Sequence, residues 1–125
     1  MFELTVEDTF DAAHQLRGYE GPCENLHGHT WKVRATFSGG KLNKLGMLVD
    51  FKEIKAALKE VLSAFDHRNL NDLSAFKRTN PTSENVAVLI FKGLSGKMGG
   101  KAKLKKVTVF ESPVTSASYA RERMA

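Results

Sequence analysis

The chain has 125 residues, 42% of them hydrophobic and 26% charged; that suits one compact domain over residues 1–125, too short for two of ordinary size and too apolar for a disordered chain. Its net charge of +5 leaves room for an anionic client or a nucleic acid, and its single cysteine excludes an internal disulfide and points to a reducing, cytoplasmic setting. No apolar run approaches the roughly 20 residues of a membrane span, so no membrane is expected as a partner, and the acidic start, with Glu3, Glu7, Asp8 and Asp11, is not read as a secretory signal.

Residues 2 to 14 alternate, with Phe2, Leu4, Val6, Phe10, Ala12 and His14 on one side and Glu3, Thr5, Glu7, Thr9 and Asp11 on the other. Period two predicts a long strand with one buried face. Residues 15 to 26 contain Gly18, Gly21 and Pro22 and read as a loop. A second strand over about 27 to 38 puts His27, His29, Trp31, Val33, Ala35 and Phe37 on one face, so an antiparallel pair is expected. "SGGKLNKLG" breaks the pattern and "MLVD" adds a short strand end. Asp50 then caps a helix, with Glu53 three residues on as in a capping box, and Phe51, Ile54, Leu58, Val61, Leu62 and Phe65 at helical spacing. That helix is expected to end near "DHRNLND". A second helix opens after "NPTSEN", capped by Thr82 or Ser83, buries Val86, Leu89, Ile90 and Leu94, and stops at Gly99 and Gly100. "GKMGGKAKLKK" reads as a loop of solvated lysines without the aromatics of a single-strand-binding surface. "KLKKVTVFES" and "VTSASYARE" form a last hairpin around Ser112 and Pro113. The order is ββααββ, an α+β domain with two helices on one face of an antiparallel sheet.

Chemistry gathers in "CENLHGH", residues 23 to 29. His27 and His29 lie two apart on a strand and so share a face, and antiparallel pairing brings His14 beside them. Three neutral imidazoles suit Zn2+ and leave a fourth position open, as in a catalytic site. The alternative is that these histidines are hydrogen-bonded strand residues. Gly28 between them either permits close backbone approach or marks a bulge. Cys23 is open to three readings: a fourth, closing ligand, an ordinary buried thiol, or a base whose thiolate something nearby stabilises. Asp66 and His67, in "FDHRNLN", form either a helix end or, with Cys23, a relay. Glu111, on the side of Val107 and Val109, either escapes to solvent or is a partly buried carboxylate that accepts two N–H donors from a flat heterocycle.

Taken together, "FDAAHQL", "CENLHGHTW", "MLVDFKEIK", "FDHRNLND", "NPTSEN" and "VTVFES" resemble the 6-pyruvoyl-tetrahydropterin synthase and 6-carboxytetrahydropterin synthase family, in order and over nearly the whole chain. The resemblance implies the tunnelling fold, with subunits joined edge to edge into a homohexamer of two stacked trimers. It also implies His14, His27 and His29 as zinc ligands, Cys23 as catalytic thiol, Asp66 and His67 as its relay partners, and Glu111 as anchor of the pterin ring. The implied substrate is 7,8-dihydroneopterin triphosphate, a plausible client for the positive charge. Within the family, C-x3-H-G-H is similar to the bacterial 6-carboxytetrahydropterin synthases of queuosine and deazapurine synthesis. Pyruvoyl-forming members typically have two more residues there, and a folate-pathway side-chain lyase has Glu in place of Cys; here Cys23 is followed by Glu24, which leaves a side activity of that type open. From another class, a zinc-stabilised basic module for nucleic acid would lose affinity steeply with salt and need no Cys23.

Overall fold

A computed structural model describes residues 1–21 and 25–121. Two 13-residue strands, β1 (Phe2–His14) and β2 (His27–Gly39), pair antiparallel over their full length, with His14 directly opposite His27 and Ala12 opposite His29. Helix α1 (Phe51–Leu62) follows, then a two-residue strand β3 (Arg68–Asn69), helix α2 (Ser83–Leu94), and the hairpin β4 (Lys103–Ser112) and β5 (Thr115–Ala120). The sheet runs β3-β1-β2-β4-β5. The helices lie on one face of it, α1 against β1 and α2 against β4 and β5, and the core between is built by Phe10, Trp31, Val33, Phe37, Ile54, Leu58, Ile90, Leu94, Val107 and Val109.

The alternation has its expected consequence over most of β1: Val6, Phe10, Ala12 and His14 are buried and Glu3, Thr5, Glu7, Thr9 and Asp11 exposed, but at the strand's start Leu4 is only half-buried and Phe2 is exposed. Asp50 caps α1 by accepting from the Lys52 N–H at 2.9 Å. The reciprocal half of a capping box is missing, because the Glu53 carboxylate pairs with Lys101 instead. Thr82, not Ser83, caps α2, accepting from the Asn85 N–H at 3.1 Å, and this frees the Ser83 hydroxyl for other work.

Several expectations need correction. "MLVD" adds no strand: Leu48 and Val49 are buried from a loop, with Leu48 packed against Gly39. Phe51 is exposed and stands outside the buried stripe of α1. That helix ends at Leu62, and the chain then crosses the open end of β1 as β3, which pairs parallel with Ala12 and Ala13, so the sheet is not wholly antiparallel. α2 stops at Leu94, five residues before Gly99. Gly28 sits in regular register opposite Ala13, and a Cβ there would meet only the Ala12 carbonyl oxygen at 4.0 Å, so it is neither a bulge nor a point of close approach.

Candidate active site

Period two carries His14, His27 and His29 to the helix-covered face at one end of the sheet, where their rings pack edge to face with centroids 4.6 to 5.2 Å apart. Trp31, fully buried, walls this group off from the core; its ring lies 4.8 Å from His14 and stacks on Phe10, and its indole N–H donates to the Ala12 carbonyl. Glu111 arrives from β4. The β4–β5 register shifts between Phe110 and Ser112, which leaves Glu111 as the unpaired bulge residue, and such bulges re-aim a side chain next to a site. Its carboxylate points among the histidines, with Oε1 3.0 Å from His14 Nε2 and 3.1 Å from His29 Nε2.

Tautomers follow from the outer contacts. His14 Nδ1 lies 2.8 Å from the Pro81 carbonyl oxygen and His27 Nδ1 lies 2.6 Å from that of Asn25. A carbonyl only accepts, so both Nδ1 atoms carry a proton, and in the neutral form of either ring Nε2 presents the lone pair. His29 Nε2 is buried and, among the described residues, has no hydrogen-bond partner; its contact with Glu111 is close but off the bonding direction, so the carboxylate acts on the ring through its charge. Burial pushes the His29 imidazole below its ordinary value, against a partial opposing pull from the Glu111 charge. Burial thus favours the neutral ring, which carries one nitrogen lone pair. One ligand atom from each of His14, His27, His29 and Glu111 falls within 4.8 Å of every other. An orphaned buried nitrogen, two fixed tautomers and a three-nitrogen, one-oxygen donor set fit a bound metal ion.

Asp66 and His67 are elsewhere. His67 takes a left-handed backbone, φ 58°, five residues past the end of α1. There its N–H donates to the Asp11 carbonyl at 2.6 Å and its Nδ1 lies 3.0 Å from Asp66 Oδ2. Asp66 Oδ1 accepts from the Asp11 N–H, and this backbone bond, helped by the His67 contact, holds the carboxyl below the usual carboxylate range against an opposing effect of burial. His67 borders a depression of about 540 Å³ lined also by Asp11, Ala13, Gly28 and Thr30 and reached by His29. The structure thus makes an Asp–His pair but does not bring it into the histidine group. Cys23 lies outside the described residues.

Three supports carry no signal in the sequence. Ser83 donates to Glu111 Oε2 at 3.3 Å. Asn71 and Asn80 each grip main chain beyond β1 through both ends of a side-chain amide: Asn71 accepts from Gln15 N and donates to Gln15 O, and Asn80 does the same for Arg17. Arg17 returns the grip, its guanidinium donating to the carbonyls of Phe76 and Thr79. Asn71→Ala is expected to cost about 1–3 kcal/mol, since it strands both partly buried polar groups of Gln15. Asn71→Asp keeps the acceptor and should cost less; urea titration of the two variants checks the order.

The family model for 6-pyruvoyl tetrahydropterin synthase matches residues 3–122. The chain belongs to that family. A 6-carboxy-5,6,7,8-tetrahydropterin synthase from Synechocystis is 35% identical over 130 residues, covering 100% of this chain and 98% of the relative. A 6-pyruvoyl tetrahydrobiopterin synthase from Drosophila melanogaster is 32% identical over 130 residues, 93% of this chain and 77% of that one. The solved structure of 6-pyruvoyl tetrahydropterin synthase from Caenorhabditis elegans superposes with a TM-score of 0.83 at 34% identity, covering 98% of each chain. The tunnelling fold and a tetrahydropterin-synthase type of lyase follow from family membership.

Proposed function

We propose that the protein is a zinc-dependent 6-carboxytetrahydropterin synthase, a single-domain carbon–carbon lyase. It converts 7,8-dihydroneopterin triphosphate and one water to 6-carboxy-5,6,7,8-tetrahydropterin, acetaldehyde and triphosphate, on the cytoplasmic route to queuosine and related deazapurines. The observation that carries this reading is the His14, His27, His29 and Glu111 donor group at the end of the sheet. The C-x3-H-G-H spacing of Cys23, His27 and His29 favours the carboxy product over the pyruvoyl one.

In this reading the three imidazoles hold zinc, which when bound supplies Lewis acidity to the side-chain hydroxyls of the substrate. Glu111 accepts two N–H donors from the edge of the pterin ring. Cys23 removes and returns protons on the side chain, with His67 as its partner and Asp66 holding the His67 imidazole in orientation. His67 is 78% exposed on the open face while the metal donors lie on the covered one, so the relay is completed where neighbouring subunits adjoin. Exposed β5, at one edge of the sheet, offers unpaired backbone groups for such joining, in keeping with a hexamer of two trimers.

Zinc-loaded protein incubated with 7,8-dihydroneopterin triphosphate should give the 6-carboxytetrahydropterin mass and trapped acetaldehyde. A pyruvoyl or hydroxymethyl pterin would keep the site and change the product, and unchanged substrate would overturn the enzyme reading. Cys23→Ala is expected to abolish turnover with zinc still bound one per chain. Loss of zinc from that variant would instead make the thiol a closing ligand.

A further inference from the structure

Glu111 faces the wrong nitrogens to be a mere outer support of the histidines. A carboxylate that steadies a metal-bound imidazole bonds the ring nitrogen pointing away from the metal. In His14 that position, Nδ1, is occupied by the Pro81 carbonyl oxygen. Glu111 Oε1 lies instead 3.0 Å from Nε2, the nitrogen turned toward the other histidines, and 3.1 Å from the orphaned Nε2 of His29. Oxygen and nitrogen lone pairs so close repel unless a proton or a metal ion stands between them, and the 3.0 Å contact with His14 holds a proton when the metal is absent. In a tetrahedral centre with bonds of about 2.0–2.1 Å, neighbouring donor atoms stand about 3.3 Å apart. The observed separations fall a few tenths of an ångström short of that edge. Oε2, the other oxygen, accepts from the Ser83 hydroxyl, which turns Oε1 toward the histidines.

We propose that Glu111 is itself the fourth ligand of the metal in the substrate-free protein, bound through Oε1, and that the hydroxyls of the pterin side chain displace it. The inference rests on the metal site proposed above and adds a second duty to Glu111. Released from the metal, the same carboxylate is free to take the N–H donors of the pterin ring. Binding of the ring and opening of the metal position then become one event, and the metal is closed to stray ligands until substrate arrives.

Co2+ serves as the probe, because its visible bands report the number and kind of ligands, and Zn2+ competition against a chromophoric chelator gives affinity. Three variants of the full chain are compared with the parent: Glu111→Gln, His14→Ala, and Glu7→Gln, which removes an exposed carboxylate paired with Arg34 on the far face. Glu111→Gln should still bind one metal, at least ~10-fold more weakly, with altered Co2+ bands, while Glu7→Gln matches the parent. Unchanged affinity and bands in Glu111→Gln, with metal lost from His14→Ala, would overturn the inference and leave the three-histidine site standing. An equal loss in Glu7→Gln would reduce the effect to net charge and overturn it too. Metal retained in full by His14→Ala would remove the site on which both readings rest. Should Glu111→Gln fail to fold, Glu111→Asp keeps the charge and withdraws the oxygen by one methylene, and unaltered Co2+ bands there count equally against the proposal.

Discussion

His14→Ala is expected to weaken zinc binding by well beyond the roughly 100-fold that loss of an outer partner brings, and to abolish turnover with it. Of the three imidazoles His14 is the most deeply held: its side chain is 1% exposed, it lies against both neighbouring histidines, and its Nδ1 is fixed by Pro81. Removing the ring deletes one of three nitrogen donors and leaves the Pro81 carbonyl without its partner, which adds a cost of about 1–3 kcal/mol in stability. The two effects separate by measurement. Metal content after dialysis against a weak chelator reads the first, and urea titration of both proteins with metal removed reads the second. A variant that keeps one zinc per chain and full activity would show that the ligand set is wrong.

Why the histidine group was legible from sequence, and its supports were not, follows from the range of the interactions. Period two places His27 and His29 on one face, and the alternation from Phe2 to His14, broken on the apolar side only by Asp8, supports the register that sets His14 opposite His27. Both are local patterns. Helix starts were legible for the same reason, because Asp50 and Thr82 each bond a backbone N–H two or three residues ahead. Pro81, by contrast, lies 67 residues from the ring it orients, and Glu111 97 residues from the histidine it faces. Neither contact leaves a trace in spacing. β3 has only two residues, too few for any period, and is held by pairing with Ala12 and Ala13 rather than by its own composition. The "MLVD" stretch misled because three consecutive apolar residues resemble a strand end. Here two of them bury their side chains from a loop. The Asp66–His67 pair was legible as a pair, whereas its seat on the open face depends on where the chain goes after α1, and the sequence alone does not encode that in any short pattern.

Trp31→Ala is expected to destabilise the metal-free protein by about 3–5 kcal/mol, a large part of the roughly 5–15 kcal/mol by which domains are stable. The indole is fully buried, contributes a stacked ring to Phe10 at 5.7 Å, and donates to the Ala12 carbonyl inside the β1–β2 pair. It also forms the back wall of the site, in edge contact with His14 and His29. Truncation therefore opens a cavity directly behind two of the proposed metal donors, and neighbouring rings in a close-packed interior respond to missing volume by rotating into it. Zinc affinity should fall even though no ligand has been touched. Trp31→Phe separates the causes, because it fills most of the volume and loses only the indole N–H bond, worth about 1 kcal/mol. It should remain close to the parent in zinc affinity while losing measurable stability. The comparison needs urea titrations at one protein concentration, since association of subunits would otherwise shift the midpoints by mass action. If Trp31→Ala lost stability but bound zinc as tightly as the parent, the histidines would be held by their carbonyl partners alone. The wall behind them would then be part of the core and not of the site.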